Sequence, residues 1–317
     1  MNKFIELPLA EPLYSTYHNQ GPATAITVNN PSINNWYLNN IMNLTCNRKF
    51  LKGFTTPEIT VENSSWVDNP YLEKHSLSTR FIKGYMNFPI KQMLNEGYYV
   101  FFTEIDDFYI PGKSWYGKRH FSHDGLICGF NQDNKTYCIY AYDSNWVYKK
   151  FWVPQKSLNI GRETMAKKGV FSDIYAIKAK KDTVIFSVDK ACENINKYLD
   201  SNLKKQPFSD QGNVFGIVVH EYIAEYIQRL YEQFIPYERM DQRVFRIIWE
   251  HKKVMLKRIE ALEQTTQISS EFSQKYKSIV TQADTLRLLY ASHKIKRRDL
   301  MLPIIKEKLL SLMHAES

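Results

Sequence analysis

Apolar and polar positions follow two different patterns along the chain, and the change falls near residue 182. Before that point, short aromatic and β-branched runs alternate with clusters of Gly, Pro and Asn, which is typical of strands joined by turns. After it, apolar residues recur at helical spacing, as in an apolar stripe formed by Val244, Ile247, Ile248, Met255 and Ile259. We therefore predict an α+β protein with an α/β domain over 1–181 and a helical domain over 182–317.

Helices are expected in both parts. In the first part, Gly21-Pro22 begins a helix, since proline is favoured at the first helical position, and residues 33–46 also have a helical pattern. A short helix over 89–94 ends at Gly97, and another follows over 157–168. The second part predicts an antiparallel bundle of helices over 188–201, 214–234, 239–264, 269–293 and 299–314.

The region from residue 98 to 143 predicts three consecutive strands. The first, YYVFFTEIDDFYIP, ends at Pro111-Gly112, and the other two, SHDGLICGF and KTYCIYAYD, are joined by a polar turn. If those two pair as a hairpin, His123 at the start of one lies beside Asp143 at the end of the other. A carboxylate there would fix the tautomer of the imidazole and stabilise its protonated form, as in nucleophilic catalysis. A surface histidine and a turn aspartate fit the same spacing equally well.

Composition limits the class of protein. The 317 residues are 44% hydrophobic and 14% aromatic, which is enough for a packed core and excludes disorder over most of the length. Apolar runs stay shorter than the roughly 20 residues of a membrane span, and the N-terminal segment lacks the features of a secretory signal. We expect a soluble cytoplasmic protein that does not bind a membrane.

Cysteine and charge add further limits. The four cysteines have neither metal-ligand nor disulfide-framework spacing. The net charge of +9 comes largely from basic runs in the C-terminal helices, at 252–253, 257–258 and 294–298. No nucleic-acid motif accompanies them, so we expect solvated helix faces, or a surface for an acidic protein partner, and no nucleic acid.

Four other residues near the hairpin are candidates for the site. Asp106 and its neighbour Asp107 end the first strand, and one of them, with Asp106 preferred, could hold a substrate amine. Trp115 and Tyr116 lie in a glycine-flanked loop, where aromatic residues line a pocket or simply pack. His120 precedes His123 by three residues, but no further ligand accompanies the two, so we expect no metal site.

The run from 97 to 143 is similar to the central motif of the butirosin biosynthesis protein H N-terminal-domain family. The segments VFGIVVHEYIAEYI and DQRVFRIIWEHKKVMLKRI extend the likeness into the helical region. The resemblance implies a papain-like cysteine-peptidase fold and transfer of acyl groups from carrier-protein thioesters to amines in antibiotic biosynthesis. It also implies that His123 is the general base and Asp143 its orienting carboxylate. The acyl group would be carried on the phosphopantetheine of the carrier protein, with no cofactor bound to the chain itself.

The resemblance implies a cysteine at the start of the first helix, but Gln20 occupies the matching position in YHNQGPATA. A glutamine cannot form a thioester, so three explanations are open. The nucleophile has been replaced, the short segment is misaligned, or another thiol, first of all Cys46, reaches the site. Gln20 could instead donate a hydrogen bond to the developing oxyanion, which is worth roughly 3 kcal/mol when well placed. Asn19 beside it is expected to contact substrate.

Three functions follow from these expectations. The first is an amide-forming acyltransferase, or its variant without a nucleophile, that binds an acidic acyl or peptidyl carrier protein and a small amine acceptor. The second is an inactive homologue that acts as a binding scaffold. The third is a cysteine-peptidase-like hydrolase. A homodimer is compatible with all three.

Overall fold

The computed structural model of the protein describes residues 2–53, 55–81, 86–171, 173–200, 212–296 and 301–317. In these residues the strands are β1 Phe4–Glu6, β2 Leu44–Asn47, β3 Ile59–Val61, β4 Leu72–Ser78, β5 Tyr99–Asp106, β6 Ser122–Asn131, β7 Thr136–Tyr142, β8 Tyr148–Pro154, β9 Asp173–Ala179 and β10 Asn213–Phe215. The helices are α1 Gly21–Ala25, α2 Asn34–Asn40, α3 Asn87–Asn95, α4 Gln155–Lys167, α5 Val188–Asp200, α6 Val219–Tyr231, α7 Arg243–Thr266, α8 Glu271–Lys296 and α9 Met301–Glu316. The protein is therefore α+β, with helices concentrated towards its C-terminus.

The chain forms two compact units, one of residues Met1–Ile33 and Ser65–Thr183 and the other of Asn34–Ser64 and Val184–Ser317. The C-terminal part of the second unit begins at Val184, two residues after the domain boundary predicted at residue 182. Residues 34–64 were predicted to belong to the first domain, but they group with the second unit. The reason is strand pairing, because β2 lies between β10 and β3 in a small antiparallel sheet.

An antiparallel seven-stranded sheet forms the first unit. Its order is β4-β9-β5-β6-β7-β8, and β1 pairs with the last residues of β6. The predicted hairpin of β6 and β7 is present, with Leu126 opposite Tyr140 and Asn131 opposite Thr136. Helices α3 and α4 cover one face of the sheet, where their apolar residues join those of β5, β6 and β7 in a buried core. The sheet thus places the ends of its central strands at a fixed edge.

The predicted helix over 33–46 is wrong in its second half, where the chain ends α2 at Asn40 and enters β2. A helix end leaves carbonyl groups without partners. The buried guanidinium of Arg258 donates to the carbonyl oxygens of Leu38 and Ile41 at 2.6 and 2.7 Å, and the His251 ring bonds that of Met42 at 2.8 Å. These two side chains from α7 satisfy the carbonyls and allow the chain to leave the helix.

Helices α5 to α9, with α2 and the small sheet, make up the second unit. The helix predicted from residue 214 begins at Val219, because residues 213–215 pair with β2 instead. A buried ion pair lies among these helices. Lys252 pairs with Glu316 and also donates to the hydroxyl of Tyr198 at 2.9 Å. None of the described helices has the length and hydropathy required to cross a membrane.

We expect Glu316→Gln to destabilise the protein by about 3 kcal/mol, because it leaves the ammonium of Lys252 buried without its countercharge. Urea unfolding followed by circular dichroism measures the change. Glu271→Gln is the matched control, since Glu271 forms an exposed helix-surface ion pair with Lys275 and should unfold like the unmodified protein. Equal effects of the two substitutions would contradict a special role for the buried pair.

The same pair should make stability depend on pH. Burial opposes ionisation of Glu316, but the charge and hydrogen bond of Lys252, together with His220 and His251, outweigh it and lower the pKa of Glu316 from 4.5 to about 2. A lowered carboxyl pKa stabilises the folded state above the ordinary value, and this contribution is lost as the pH falls from 4.5 towards 2. The difference between the unmodified protein and Glu316→Gln should therefore shrink over that range in acid titrations of unfolding.

Candidate active site

His123 is held by a buried carboxylate from the turn that follows the neighbouring strand β5. In the antiparallel pairing of β5 with β6, Ile105 lies opposite His123, and the backbone N–H of Asp107 donates to the carbonyl of Phe121 at 2.8 Å. Nδ1 of His123 lies 2.5 Å from Oδ2 of Asp107. A carboxylate only accepts hydrogen bonds, so Nδ1 must carry the hydrogen and Nε2 is left as the basic nitrogen.

The exposure of the two side chains suits an acid–base pair. The side chain of Asp107 is 3% exposed, whereas that of His123 is 22% exposed. The carboxylate is therefore shielded from water while the imidazole can reach a substrate. This is the arrangement in which a carboxylate orients a general base without contacting the reacting groups.

Asp143, the predicted partner of His123, has a different role. The hairpin brings it to the same end of the sheet, but its Oδ1 accepts the backbone N–H groups of Asn145 and Val147 at 2.8 and 2.9 Å. Its Oδ2 pairs with Lys149 at 2.7 Å. Partial burial opposes ionisation of Asp143, but Lys149 and the two backbone donors together hold its pKa below the ordinary value. Asp143 stabilises the β7–β8 turn, and Asp107 supplies the carboxylate instead.

A buried lysine lies on the other side of Asp107. Nζ of Lys113 is 3.8 Å from Oδ1 of Asp107, and the lysine side chain is only 2% exposed. Burial lowers the pKa of Lys113 in spite of the opposing pull of Asp107 and Asp124. Within the described residues, its ammonium has no hydrogen-bond partner. The carboxylate of Asp107 therefore lies between two side chains, the partly exposed imidazole of His123 and the buried ammonium of Lys113.

A second imidazole contacts the first. The rings of His18 and His123 meet edge to face, with centroids 4.8 Å apart. The segment before α1 is held against β7, since the Tyr142 hydroxyl donates to the carbonyl of Ser15 at 2.7 Å and the Tyr142 ring contacts His18. Gly21 allows α1 to approach β8, because a Cβ atom there would lie 2.4 Å from the hydroxyl of Tyr148. The N-terminal segment thus contributes His18 to the site.

The residues predicted around the missing nucleophile, Gln20, Asn19 and Cys46, have other surroundings in the structure. Gln20 is 2% exposed and its Oε1 accepts the backbone N–H of Tyr17 at 3.3 Å, so it lies inside the turn before α1. Asn19 is exposed and its carbonyl oxygen accepts from the N–H of Trp66. Cys46 is buried in β2 of the second unit, and burial raises the pKa of its thiol to about 12. Cys46 therefore lies in a strand rather than in the helix predicted over 33–46, and its thiol stays protonated at neutral pH.

Asp106 is a structural residue rather than a substrate ligand. Its side chain is fully buried and accepts the backbone N–H groups of Phe108 and Phe121, both at 3.2 Å, and bonds Nδ1 of His120 at 2.7 Å. The absence of a side chain at Gly161 lets α4 pack on this turn, since a Cβ there would lie 3.0 Å from the carbonyl oxygen of Asp106. Asp106 therefore fixes the loop that carries Asp107.

The two loop aromatics have different surroundings. Trp115 contacts the ring of Phe121 at 6.0 Å, and Phe121 contacts that of His123 at 4.7 Å, so Trp115 lies one ring away from the imidazole. Tyr116 is 50% exposed. The sequence pattern did not predict Lys113 or His18 as site residues, and it favoured Asp106 over Asp107. In an antiparallel pair, the end of one strand lies beside the start of the other, which is how Asp143 was predicted to lie near His123. The same reasoning places the end of β5 beside His123 and could have identified Asp107.

No protein-family model matches this chain, and no curated protein matches it. Within the described parts of the chain, no group of three or more His, Cys, Asp or Glu side chains is placed to hold a metal ion. The function must therefore be inferred from the side chains described above.

We expect Asp107→Asn to change the tautomer of His123, because it removes the charged acceptor at Nδ1. A hydrogen bond to a charged group is worth about 1.5–3 kcal/mol, which predicts a shift of roughly tenfold or more in the ratio of Nδ1–H to Nε2–H forms. Ring nitrogen NMR shifts report the ratio, with His123→Ala to identify the signal. Asp143→Asn is the control, since its side-chain oxygen can still accept from Asn145 and Val147. A change of His123 signals in this control, or none in Asp107→Asn, would show that our assignment of the carboxylate is wrong.

Proposed function

We propose that the protein is an amide-forming acyltransferase of papain-like type in which His123 acts as a general base without a covalent acyl-enzyme. The contact between the buried carboxylate of Asp107 and Nδ1 of the partly exposed His123 carries this proposal. It provides an oriented base, which contributes about 10²–10⁴-fold in rate. A thioester is already an activated acyl donor, so an amine can attack it directly.

The proposed reaction is a single addition and elimination. The nitrogen of a neutral amine attacks the thioester carbonyl carbon, and Nε2 of His123 takes the proton that the nitrogen loses. The tetrahedral intermediate then breaks its carbon–sulfur bond, and the imidazolium returns the proton to the departing thiolate. The products are an amide and a free thiol. Asp107 stabilises the imidazolium formed between the two steps.

The state of the cysteines supports a mechanism without a protein thiolate. The reactive form of cysteine is the thiolate, and burial raises the pKa of the Cys46 thiol to about 12. In the first unit, Cys128 and Cys138 are buried in the sheet, and a hydrogen bond to Cys138 together with burial raises the pKa of Cys128 well above its ordinary value. Cys192 is exposed on α5 of the second unit. The thiols of Cys46 and Cys128 therefore stay protonated and lack the thiolate of a catalytic cysteine.

The papain-like fold and the family resemblance are part of the proposal. They are supported by an antiparallel sheet with its histidine at the start of a central strand, and by a helix-forming segment before the sheet that approaches this histidine. Carrier-protein docking has weaker support. Of the basic runs in the helices, Lys252 and Arg258 point inward, and residues 297–298 lie outside the described residues.

The test is transfer from acyl-S-pantetheine donors (acetyl, hexanoyl and aminoacyl) to a panel of primary amines. Amide is measured by mass spectrometry and free thiol by a colorimetric reagent. We expect His123→Ala to lower kcat/KM by about 10²–10⁴-fold, because the general base is lost. His120→Ala is the matched control, since His120 is half exposed and bonds Asp106 rather than Asp107. It should retain most of the activity.

Other outcomes would select the alternatives. Release of thiol without amide in the presence of amine indicates a hydrolase. Binding of donor without turnover, unaffected by His123→Ala, indicates a scaffold. An acyl adduct on intact protein, removed by Cys46→Ala, would contradict the mechanism without a nucleophile.

A further inference from the structure

A cavity of about 500 Å³ lies on the first unit next to the imidazole pair. Trp66, Phe101 and Tyr175 form its aromatic wall, and the Trp66 ring lies 5.3 Å from that of Phe101 and 5.0 Å from that of Tyr175. Asn19 and Asp124, which also line the cavity, are the chain neighbours of His18 and His123. Side chains of consecutive strand residues point to opposite faces, so His123 itself does not line the cavity, but it acts electrostatically on Asp124, and this end of the cavity therefore lies near the proposed base.

Asp124 places a carboxylate at this end. Its Oδ1 accepts a long hydrogen bond of 3.4 Å from the backbone N–H of Glu104. Burial raises the pKa of Asp124, and the charge of Glu104 adds to this, while His123 and Lys113 act in the opposite direction. A carboxylate that has lost much of its water and gained only one weak donor is stabilised by a cation placed against it.

The lysine that lines the cavity lies at its other end. Lys74 and His75 are on the edge strand β4, separated from β6 by β9 and β5. Three strand spacings correspond to about 14 Å. The ammonium of Lys74 also donates to the carbonyl oxygens of Val67 and Asn69, at 2.7 and 2.8 Å. Lys74 is therefore not the partner of Asp124. Lys113 acts on Asp124 but also on Asp107, so two carboxylates share one buried ammonium, and the end of the cavity near His123 attracts a second cation.

The aromatic wall suits the rest of such a ligand. Aromatic faces attract cations and bury apolar groups of similar size, and a small-molecule site typically combines an apolar wall with a few fixed polar groups. An acyl group on a thioester has no positive charge, and it would leave the carboxylate of Asp124 without a partner when it displaced water from the cavity.

We propose that this cavity binds a primary amine with an aromatic-sized apolar body, its ammonium on Asp124 and its body between Trp66, Phe101 and Tyr175. Its assignment as the acyl acceptor rests on the proposed function, because there the amine, once the bound ammonium has lost a proton to water, would meet the base at His123. Binding of the amine requires no transfer and can be measured alone.

The experiment is calorimetric titration of the whole protein with three probes of one shape: phenethylamine, 2-phenylethanol and phenylacetate. We expect phenethylamine to bind about tenfold or more tightly than the alcohol, with phenylacetate weakest, since only the amine pairs with Asp124. Asp124→Asn should remove most of this preference. Asp133→Asn, an exposed aspartate in the β6–β7 turn, is the control and should leave it unchanged. Thermal melting of each variant establishes that it is folded.

Equal binding of amine and alcohol, tighter binding of phenylacetate, absence of binding, or an unchanged preference in folded Asp124→Asn would each overturn the proposal. Different results test the proposed function, because it requires transfer and not only binding of the amine. His123→Ala should abolish transfer while phenethylamine still binds, and binding without any transfer in the unmodified protein would contradict only the acyltransferase. If transfer occurs, Asp124→Asn should raise KM for phenethylamine more than it lowers kcat. The opposite split would show that Asp124 serves the chemistry rather than the amine.

Discussion

The candidate site depends on one contact, between the carboxylate of Asp107 and Nδ1 of His123. An imidazole exchanges its hydrogen between two nitrogens, and only one of the resulting tautomers presents a basic Nε2 to a substrate. A buried carboxylate at Nδ1 fixes that tautomer and also stabilises the positive charge that the ring acquires as a base. Without it, His123 would be a partly exposed histidine with no particular chemistry.

Several parts of the fold hold this contact. The bulge between Phe102 and Ile105 changes the register of β5 against β6 just before the strand ends, so that the turn after β5 meets the start of β6. Asp106 then fixes that turn through backbone donors, and Asp143 fixes the adjacent β7–β8 turn. The serine hydroxyl of Ser114 links the two loops by donating to the carbonyl of Asp143 at 3.3 Å. Two aspartates of the region are therefore structural, and a third is left to orient the histidine.

Much of this fold follows from sequence patterns, because the strands and helices concerned are set locally. The alternation in residues 122–143 and the polar turn between them are sufficient to predict the β6–β7 hairpin, and the histidine at its open end. The carboxylate was harder to predict, since Asp106, Asp107 and Asp143 all lie at the same sheet edge. Which of them faces the ring depends on a one-residue bulge and on turn hydrogen bonds. Neither leaves a periodic signal, and the same limitation applies to the end of α2, which is set by the distant Arg258.

Buried charges occur in both units, but their hydrogen bonding differs. Lys252 in the second unit donates to Glu316 and to the hydroxyl of Tyr198, so its ammonium is paired within the packed helices. Among the described residues of the first unit, Lys113 has a distant ion pair with Asp107 and no hydrogen bond, and Asp124 has one weak donor. Desolvated charges without good partners destabilise a fold, and stability alone gives no reason to keep two of them beside one imidazole. Their incomplete pairing is what a site needs if its remaining partner is a substrate, and it distinguishes this edge of the sheet from the ion pair in the helical unit.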